Sequence, residues 1–391
     1  MKTYMFPGQG SQSKGMGEGL FERFAELTKK ADNILGFSIK ELCLEDPGKK
    51  INETQFTQPA LYVVNALSYY KALQDTGVEP DFVAGHSLGE FNALLAAGGF
   101  DFETGLKLVK KRGELMSQAP EGAMAAILRG SKEQIESVLE KNGLHNIDLA
   151  NYNTPSQIVI SGAKKEIAQA QACFQEAGMA YYPLNTSGAF HSRFMEPIKE
   201  QFSEYLKQFE FSELKIPVIS NVTARPYNNE DVVKNMSAQL ASGVRWSDSI
   251  QYLINHAKSA SDEMEFVEIG SGDVLTKIYL SILRELPKVD SAQDDAKETL
   301  VKTNAYAVNS KVINAASTGY SNTPIDQLTF AQQKVDEWNR NNPVGVKVKS
   351  NFDQFGELET KSHAVVLFGH RAAIYMKGYR GYFDLDEITL V

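Results

Sequence analysis

The sequence has few cysteines, no long apolar run and no excess of basic residues. Its two cysteines, Cys43 and Cys173, lack metal-ligand spacing, so we assign them neither a metal nor a disulfide. No stretch approaches the roughly 20 apolar residues that span a bilayer, and the N-terminus lacks the basic and apolar regions of a secretory signal. We therefore expect a cytoplasmic protein with no metal site and no membrane partner.

The net charge of -9 argues against a nucleic-acid partner, because nucleic-acid binding usually requires a basic face. A local basic cluster does occur at Lys110, Lys111 and Arg112, where either an acidic protein docks or the helix is simply solvated. Hydrophobic residues make up 42% of the 391-residue chain, as in ordinary globular domains.

Strand and helix patterns alternate over about the first 290 residues, which predicts an α/β fold with a mainly parallel sheet. Residues 3–6 and 82–84 have the pattern of buried strands. Residues 58–73 carry apolar side chains at helical spacing, as a helix covering the sheet should.

Between residues 123 and 190 the order changes to βαββαβ, which is typical of a ferredoxin-like unit. The predicted elements are strand 123–128, helix 132–141, strand 147–152, strand 157–161, helix 165–177 and strand 180–184. We predict that this subdomain is inserted into a core made of residues 1–122 and 191–290. It would form one wall of a cleft.

A C-terminal extension, residues 291–391, begins with a polar, acidic stretch at 290–298 that favours a linker. A helix over 325–341 and short strands suggest a small α+β unit. The predicted strands are 344–348, 364–368, 372–376 and 379–383. His363 and His370 are interpreted as structural, and the extension as either a docking element or a stabilising addition.

The clearest chemical signal is the pattern G-x-S-x-G at residues 85–89, between the predicted strand 82–84 and a helical run. This context is that of a nucleophile elbow. Flanking glycines permit the sharp turn, and the helix N-terminus presents free N–H groups to a developing negative charge. Ser87 is therefore predicted to be a nucleophile.

A serine nucleophile needs a base, and the chain has only six histidines. His86 is next to the serine and should point elsewhere, while His145 and His256 are interpreted as surface or packing residues. His191 lies where the chain leaves the inserted subdomain, which makes it the predicted base. The alternative is a loop histidine that only caps or packs.

The glycine-rich turn at residues 8–12 follows the first predicted strand and can bring backbone N–H groups close to a ligand. Together with the N–H of Leu88, the residue after the nucleophile, it would supply the two donors of an oxyanion hole. Acyl transfer requires such an arrangement.

Five segments occur in a distinctive order over about residues 1–290: FPGQGSQ, GHSLGE, LVKKRGELM, NTPSQIVISG and GAFHS. In these the chain resembles malonyl-CoA:acyl carrier protein transacylases, including the free-standing acyltransferases of polyketide synthases. The resemblance implies an α/β-hydrolase-like core and ping-pong transfer of malonyl from coenzyme A to the phosphopantetheine thiol of an acyl carrier protein. It implies no bound cofactor, and the extra C-terminal residues favour a polyketide pathway over fatty-acid synthesis.

The resemblance also implies roles for catalytic residues. Ser87 would be acylated and His191 would act as base and acid. The backbone N–H groups of Gln9 and Leu88 would form the oxyanion hole. The main-chain carbonyl of Gln239 would orient the histidine, so no carboxylate is needed.

Two further positions would select the acyl group. Arg112 would bind the free carboxylate of malonate, for which a guanidinium offers a bidentate fork. Phe190 would leave little room for the extra methyl of methylmalonyl. An acyl hydrolase and a non-catalytic docking protein are the alternatives, and both are disfavoured by the complete set with Arg112.

Overall fold

The computed structural model describes most of the chain on either side of residues 287–323. The described residues are 1–286, 324–350, 357–361, 363–367, 371–374, 376–377, 383–385 and 388–390. The chain divides into two compact units, Met1–Asn309 and Ser310–Val391. The predicted linker 290–298 lies outside the described residues, and the predicted boundary at residue 291 stays a prediction.

The first unit contains eight described strands and twelve described α-helices. The strands are β1 Lys2–Phe6, β2 Phe82–Gly85, β3 Ala123–Leu128, β4 Ile147–Thr154, β5 Gln157–Gly162, β6 Ala180–Pro183, β7 Val218–Ile219 and β8 Glu265–Glu268. The helices are α1 Leu20–Arg23, α2 Ala25–Leu35, α3 Ile39–Leu44, α4 Thr54–Thr76, α5 Gly89–Ala96, α6 Phe102–Ser117, α7 Lys132–Lys141, α8 Lys164–Glu176, α9 Glu196–Leu206, α10 Val232–Ala238, α11 Trp246–Ser259 and α12 Val274–Glu285.

Four parallel strands form the central sheet, in the order β7, β2, β1, β8. Strand β2 is buried along its whole length, as expected of parallel strands covered on both faces. The predicted α/β class and the predicted strands at 3–6 and 82–84 are confirmed. Because the strands are parallel, the segments after β1, β2 and β7 meet at one edge of the sheet, where α/β proteins place their ligands.

Helix α6 is positioned by its cap and by two glycines. Asp101 caps it by accepting the backbone N–H of Thr104 at 2.7 Å. A Cβ on Gly105 would lie 2.0 Å from the Tyr62 hydroxyl of α4, and one on Gly113 would lie 3.2 Å from the Thr54 carbonyl oxygen. The two helices therefore approach closely, which places the buried face of α6 against the start of α4.

The inserted subdomain is an antiparallel sheet in the order β4, β5, β3, β6. Its βαββαβ order is as predicted, except that β4 continues to Thr154 and β6 ends at Pro183. One face of the sheet packs with α7 and α8 in a core of its own. The other face contributes Met124, Ala126 and Val159 to the main core, which joins the subdomain to the larger domain.

The second unit is a small α+β arrangement. Its described elements are α13 Pro324–Asn341, β9 Lys347–Ser350, β10 Glu357–Glu359, β11 Val365–Leu367, β12 Arg371–Ile374, β13 Phe383–Asp384 and β14 Ile388–Leu390. The strands form two antiparallel sheets, β10-β9-β14 and β11-β12-β13. They enclose a core that includes Val335, Val348 and Ile374.

One strand prediction in this unit needs correction, and another lies mostly outside the described residues. The strand predicted at 344–348 begins only at Lys347, because Gly345 has a φ of 95° and lies in a turn. The strand predicted at 379–383 meets the observed strand only at Phe383, and residues 378–382 are outside the described residues.

Candidate active site

Ser87 stands on a sharp turn between β2 and α5. Its φ is 50°, a left-handed value that few residues other than glycine adopt. A Cβ on Gly85 would lie 1.9 Å from the Gly89 carbonyl carbon, and one on Gly89 would lie 2.0 Å from the Phe6 carbonyl oxygen. Both glycines are therefore required by close backbone approach, and the turn has the geometry of a nucleophile elbow.

The Ser87 hydroxyl is hydrogen-bonded to the predicted base. Ser87 Oγ lies 2.7 Å from His191 Nε2. On the other side of the ring, Nδ1 lies 2.9 Å from the main-chain oxygen of Gln239. A carbonyl only accepts, so Nδ1 carries the proton and Nε2 is free to accept the proton of Ser87.

Burial lowers the pKa of His191 to about 3. The charge of Arg112 is the second cause of this lowering, and the hydrogen bond to the Gln239 carbonyl opposes both effects. The imidazole is consequently neutral over the physiological range and is in the form that a general base requires.

Arg112 lies in the same cluster and is only 1% exposed. Its Nη1 donates to Gln58 Oε1 at 2.8 Å, and its Nη2 donates to Gln239 Oε1 at 2.9 Å and to Ser87 Oγ at 3.2 Å. Its Nε is buried and has no hydrogen-bond partner within the described part of the chain. Burial lowers the pKa of Arg112 to about 10, with Glu90 opposing the shift, so the guanidinium remains charged at neutral pH.

The basic cluster at residues 110–112 is not an exposed docking patch. Arg112 is buried, and the half-buried Lys110 donates from Nζ to the Ile34 carbonyl at 2.9 Å. Lys111 places its Nζ 5.8 Å from the centre of the Tyr205 ring. Both the docking and the solvated-helix interpretations of Arg112 are thus wrong, because this side chain turns into the site.

The turn after β1 lies directly against the elbow. A Cβ on Gly8 would lie 2.2 Å from the His86 carbonyl oxygen and 3.6 Å from the Leu88 nitrogen. The missing side chain lets the backbone at Gly8 and Gln9 approach Leu88, the residue before α5. This arrangement suits a pair of N–H donors facing one oxyanion.

Asn221 braces the elbow and was missed by the sequence analysis. Its Oδ1 accepts the backbone N–H of Ser87 at 2.8 Å, and its Nδ2 donates to the Gly85 carbonyl at 2.7 Å. Asn221 follows β7, the strand next to β2, and therefore lies at the ligand-binding edge of the sheet. A predicted strand at this place would have indicated a site residue. The strand is only two residues long, which left this signal too weak to use.

Gln239 contributes its side chain as well as its carbonyl. Nε2 donates to the Ser87 carbonyl at 2.8 Å and also to Glu90 Oε2, while Oε1 accepts from Arg112. Glu90 and Gln58 were not assigned from the sequence. Gln58 lies in the first turns of α4, on the face that packs against α6. This position in the helix was the only sequence feature that could have indicated a role in the site.

The other predicted residues lie as follows. Phe190 is buried in the main core, with its ring against Gly188. His86 points away from the Ser87 hydroxyl, since its Nε2 lies 2.9 Å from Asn153 Oδ1. His256 packs on the Phe82 ring at 5.1 Å between ring centres, and His145 lines a cavity.

Two hollows flank the site. One has a volume of about 540 Å³ and lies between the inserted subdomain and the core, with His191, Arg193 and Asp148 in its lining. The other, about 280 Å³, is lined largely by uncharged polar side chains and includes Gln9 and Thr54. Ser87 and His191 are both buried, and His191 borders the first of these cavities.

Neither a membrane-spanning helix nor a metal site was found in the part of the chain that the structure describes. None of its helices combines the length and apolar character needed to cross a bilayer. Within the same residues, no three histidine, cysteine, aspartate or glutamate side chains are grouped so that they could hold a metal ion.

Comparison with known proteins identifies related chains. Residues 3–333 match the family described as acyl transferase domain. The polyketide biosynthesis protein PksE of Bacillus subtilis is 56% identical over 287 residues, covering 73% of this chain and 37% of that protein. This chain therefore spans little more than a third of that relative.

Other relatives are matched over nearly their full length. The polyketide biosynthesis malonyl CoA-acyl carrier protein transacylase PksC of Bacillus subtilis is 56% identical over 288 residues, 73% of this chain and 98% of the relative. The crystal structure of malonyl CoA-acyl carrier protein transacylase from Burkholderia pseudomallei superposes with a TM-score of 0.73. Its sequence is 58% identical, and the match covers 74% of this chain and 99% of that one.

Proposed function

This chain belongs to the acyl transferase domain family, and we propose that it transfers a malonyl group from malonyl-CoA to the phosphopantetheine thiol of an acyl carrier protein. The observation that carries the proposal is the buried, charged Arg112, whose Nη2 lies 3.2 Å from the Ser87 hydroxyl oxygen. Beside this nucleophile, a guanidinium selects an acyl group that carries its own negative charge.

In the first half-reaction, Ser87 Oγ attacks the thioester carbonyl carbon while His191 Nε2 takes the hydroxyl proton. The N–H groups of Gln9 and Leu88 stabilise the oxyanion. The tetrahedral intermediate then collapses, the carbon–sulfur bond breaks, and His191 returns the proton to the coenzyme A sulfur. Malonyl-Ser87 is left.

In the second half-reaction, the phosphopantetheine thiol takes the place of coenzyme A. His191 removes the thiol proton, the sulfur attacks the malonyl ester, and the proton returns to Ser87 Oγ as the ester bond breaks. These steps need only serine and histidine, so no bound cofactor takes part in the proposed reaction. Both substrates are cytoplasmic thioester carriers, and we place the enzyme in the cytoplasm.

Arg112 has an additional effect before the substrate binds. Its hydrogen bond to Ser87 Oγ occupies a lone pair of the nucleophile. A malonate carboxylate is a stronger acceptor than a neutral hydroxyl, so its arrival draws the guanidinium away from Oγ. A hydrolase acting on uncharged acyl groups would have no use for this buried cation.

The acceptor is proposed to be a carrier protein of a polyketide synthase. Relatives with more than half of their matched residues identical carry names that assign them to polyketide biosynthesis. The malonyl group would then serve as an extender unit. The role of the C-terminal unit stays a choice between docking and stabilisation.

The test is intact-protein mass spectrometry of the full chain mixed with malonyl-CoA, methylmalonyl-CoA or acetyl-CoA. We expect a malonyl-sized adduct that peptide mapping locates on Ser87 and that disappears when a carrier protein with its phosphopantetheine arm is added, as the carrier gains the same mass. No adduct from any donor would contradict the transferase proposal. An adduct lost to water at the same rate with and without carrier would instead favour a hydrolase.

Phe190 offers a test of acyl selectivity. Phe190→Ala is expected to raise the ratio of methylmalonyl to malonyl acylation by about 10-fold, since discrimination of one methyl amounts to roughly 1–3 kcal/mol. The matched control is Phe174→Ala, which removes an equally buried ring from the helix-covered core of the inserted subdomain. Initial acylation rates with both donors give the ratio, and an equal change in both variants would contradict a specific role.

A further inference from the structure

Glu90 is a buried carboxyl group that the proposed reaction does not use. It lies in the first turn of α5, three residues after the nucleophile, and is 1% exposed. A buried carboxylate is costly unless it is hydrogen-bonded and compensated by a positive charge. Its partners therefore indicate why the fold retains it.

Both oxygens of Glu90 accept hydrogen bonds. Oε1 accepts the backbone N–H of Asn221 at 3.0 Å and the hydroxyl of Tyr227 at 2.7 Å. Oε2 accepts from Nε2 of Gln239. Asn221 and Gln239 in turn bind the backbone N–H and the carbonyl of Ser87, so two of these bonds lead directly to the nucleophile.

We propose that Glu90 is a positioning residue for acyl transfer, which as a carboxylate orients the Gln239 amide and balances the charge of Arg112 until the acyl carboxylate binds. The inference rests on the proposed function and deepens it. Glu90 would touch no reacting atom, and it would act through Gln239 and Asn221.

The orientation of Gln239 follows from the chemistry of its neighbours. An amide side chain has one end that donates and one that accepts, and an ionised carboxylate only accepts. Glu90 thus holds Nε2, which leaves Oε1 to face Arg112. If the amide turned over, Nε2 would face the guanidinium, and the hydrogen bonds to Arg112 and to the Ser87 carbonyl would both be lost.

Protonation of Glu90 should have the same effect as removing its charge. Burial raises the pKa of Glu90 to about 7, against the hydrogen bonds from Tyr227, Asn221 and Gln239 and the charge of Arg112. The titratable groups that face Glu90 or its partners are Arg112, Tyr227 and His191. Arg112 stays charged and Tyr227 stays neutral at this pH, since burial raises the pKa of the phenol well above its usual value.

The sign of the pH dependence follows. Above about pH 7 Glu90 is ionised and the amide is held, and as the pH falls through 7 this arrangement is progressively lost. His191, with a pKa of about 3, remains an unprotonated base throughout that range. An acid limb of the acylation rate near pH 7 would therefore report Glu90.

The experiment measures single-turnover acylation by malonyl-CoA across this pH range, in the wild-type chain, Glu90→Gln and Tyr227→Phe. Glu90→Gln places an amide N–H opposite a donor in either orientation, Nε2 of Gln239 in one and the backbone N–H of Asn221 in the other. We expect the maximal rate to fall by about 10²-fold, the scale of a small misplacement of reacting groups. Its profile should lose the acid limb, and its KM for malonyl-CoA should not rise, because Arg112 loses a competing negative charge.

Tyr227→Phe is the matched control. It removes a hydrogen bond that lowers the pKa of Glu90 but leaves the contact with Gln239, so the maximal rate should hold while the acid limb moves to higher pH. Glu90→Gln with the wild-type rate and limb would overturn the inference. If Glu90→Gln does not fold, an acid limb that stays at the wild-type pH in Tyr227→Phe overturns the inference. A wild-type chain that forms no adduct would contradict the proposed function instead.

Discussion

Ser87→Ala is expected to form no acyl-enzyme with any coenzyme A donor and to lower malonyl transfer by about 10⁶-fold, the scale found when a nucleophilic serine is removed. The reason is that, in the proposed reaction, Oγ is the atom to which the acyl group becomes attached. The backbone N–H of Ser87 still donates to Asn221 Oδ1, and its carbonyl still accepts from Gln239 Nε2, so the elbow should keep its shape.

The measurement is intact mass after mixing with malonyl-CoA, together with the rate of carrier malonylation. Ser161→Ala serves as the matched control, because Ser161 is fully buried in β5 and its Oγ has no hydrogen-bond partner among the described residues. It should acylate like the wild-type chain. A persistent adduct in Ser87→Ala, mapped to another residue, would contradict the assigned nucleophile.

Arg112→Ala should reduce acylation by malonyl-CoA by about 10²- to 10⁴-fold, which corresponds to the roughly 3–5 kcal/mol lost when one member of a buried charge pair is removed. Acetyl-CoA offers no carboxylate to the guanidinium, so its acylation rate should fall much less. The ratio of malonyl to acetyl transfer is therefore the informative quantity. Loss of the positive charge should also raise the pKa of His191, since Arg112 lowers it in the wild-type chain.

Lys111→Ala is the control for charge, because it removes the neighbouring cation, which packs on Tyr205 and not on the site. Arg112→Lys separates charge from shape, since an ammonium lacks the planar fork of a guanidinium. Arg112→Lys should recover part of the malonyl preference. An equal loss of malonyl and acetyl transfer in Arg112→Ala would mean that the arginine only supports the fold and does not bind the acyl carboxylate.

Some features of the site were predictable because they are local. The elbow needs only a strand, two glycines, a serine and a helix within a dozen residues, and each of these can be recognised from the residues at neighbouring positions. The βαββαβ subdomain was likewise readable from periodicity, with errors of a residue or two at strand ends. Short strands of the second unit were less accurate, since a glycine turn displaced one of them.

Arg112 shows where local reasoning ended. The neighbouring residues Lys110 and Lys111 predicted a solvated basic cluster. Only the resemblance of the segment LVKKRGELM to a known family predicted that Arg112 binds a carboxylate in the site. Its burial depends on how closely α6 approaches α4, which two glycines and facing side chains permit. Glu90 lies within the segment GHSLGE but was assigned no role, and Asn221 lies in none of the five segments, although both contact the elbow.

The local order of residues was thus sufficient for most of the elements and for the sharp turn that carries Ser87, the predicted nucleophile. The hydrogen-bonding network was established by packing, because its members are far apart in the chain. Ser87 is 104 residues from His191, 134 from Asn221 and 152 from Gln239. Such contacts form only when parallel strands align their carboxyl ends and helices close over them, and hydrogen bonds then act over about 3 Å whatever the sequence separation.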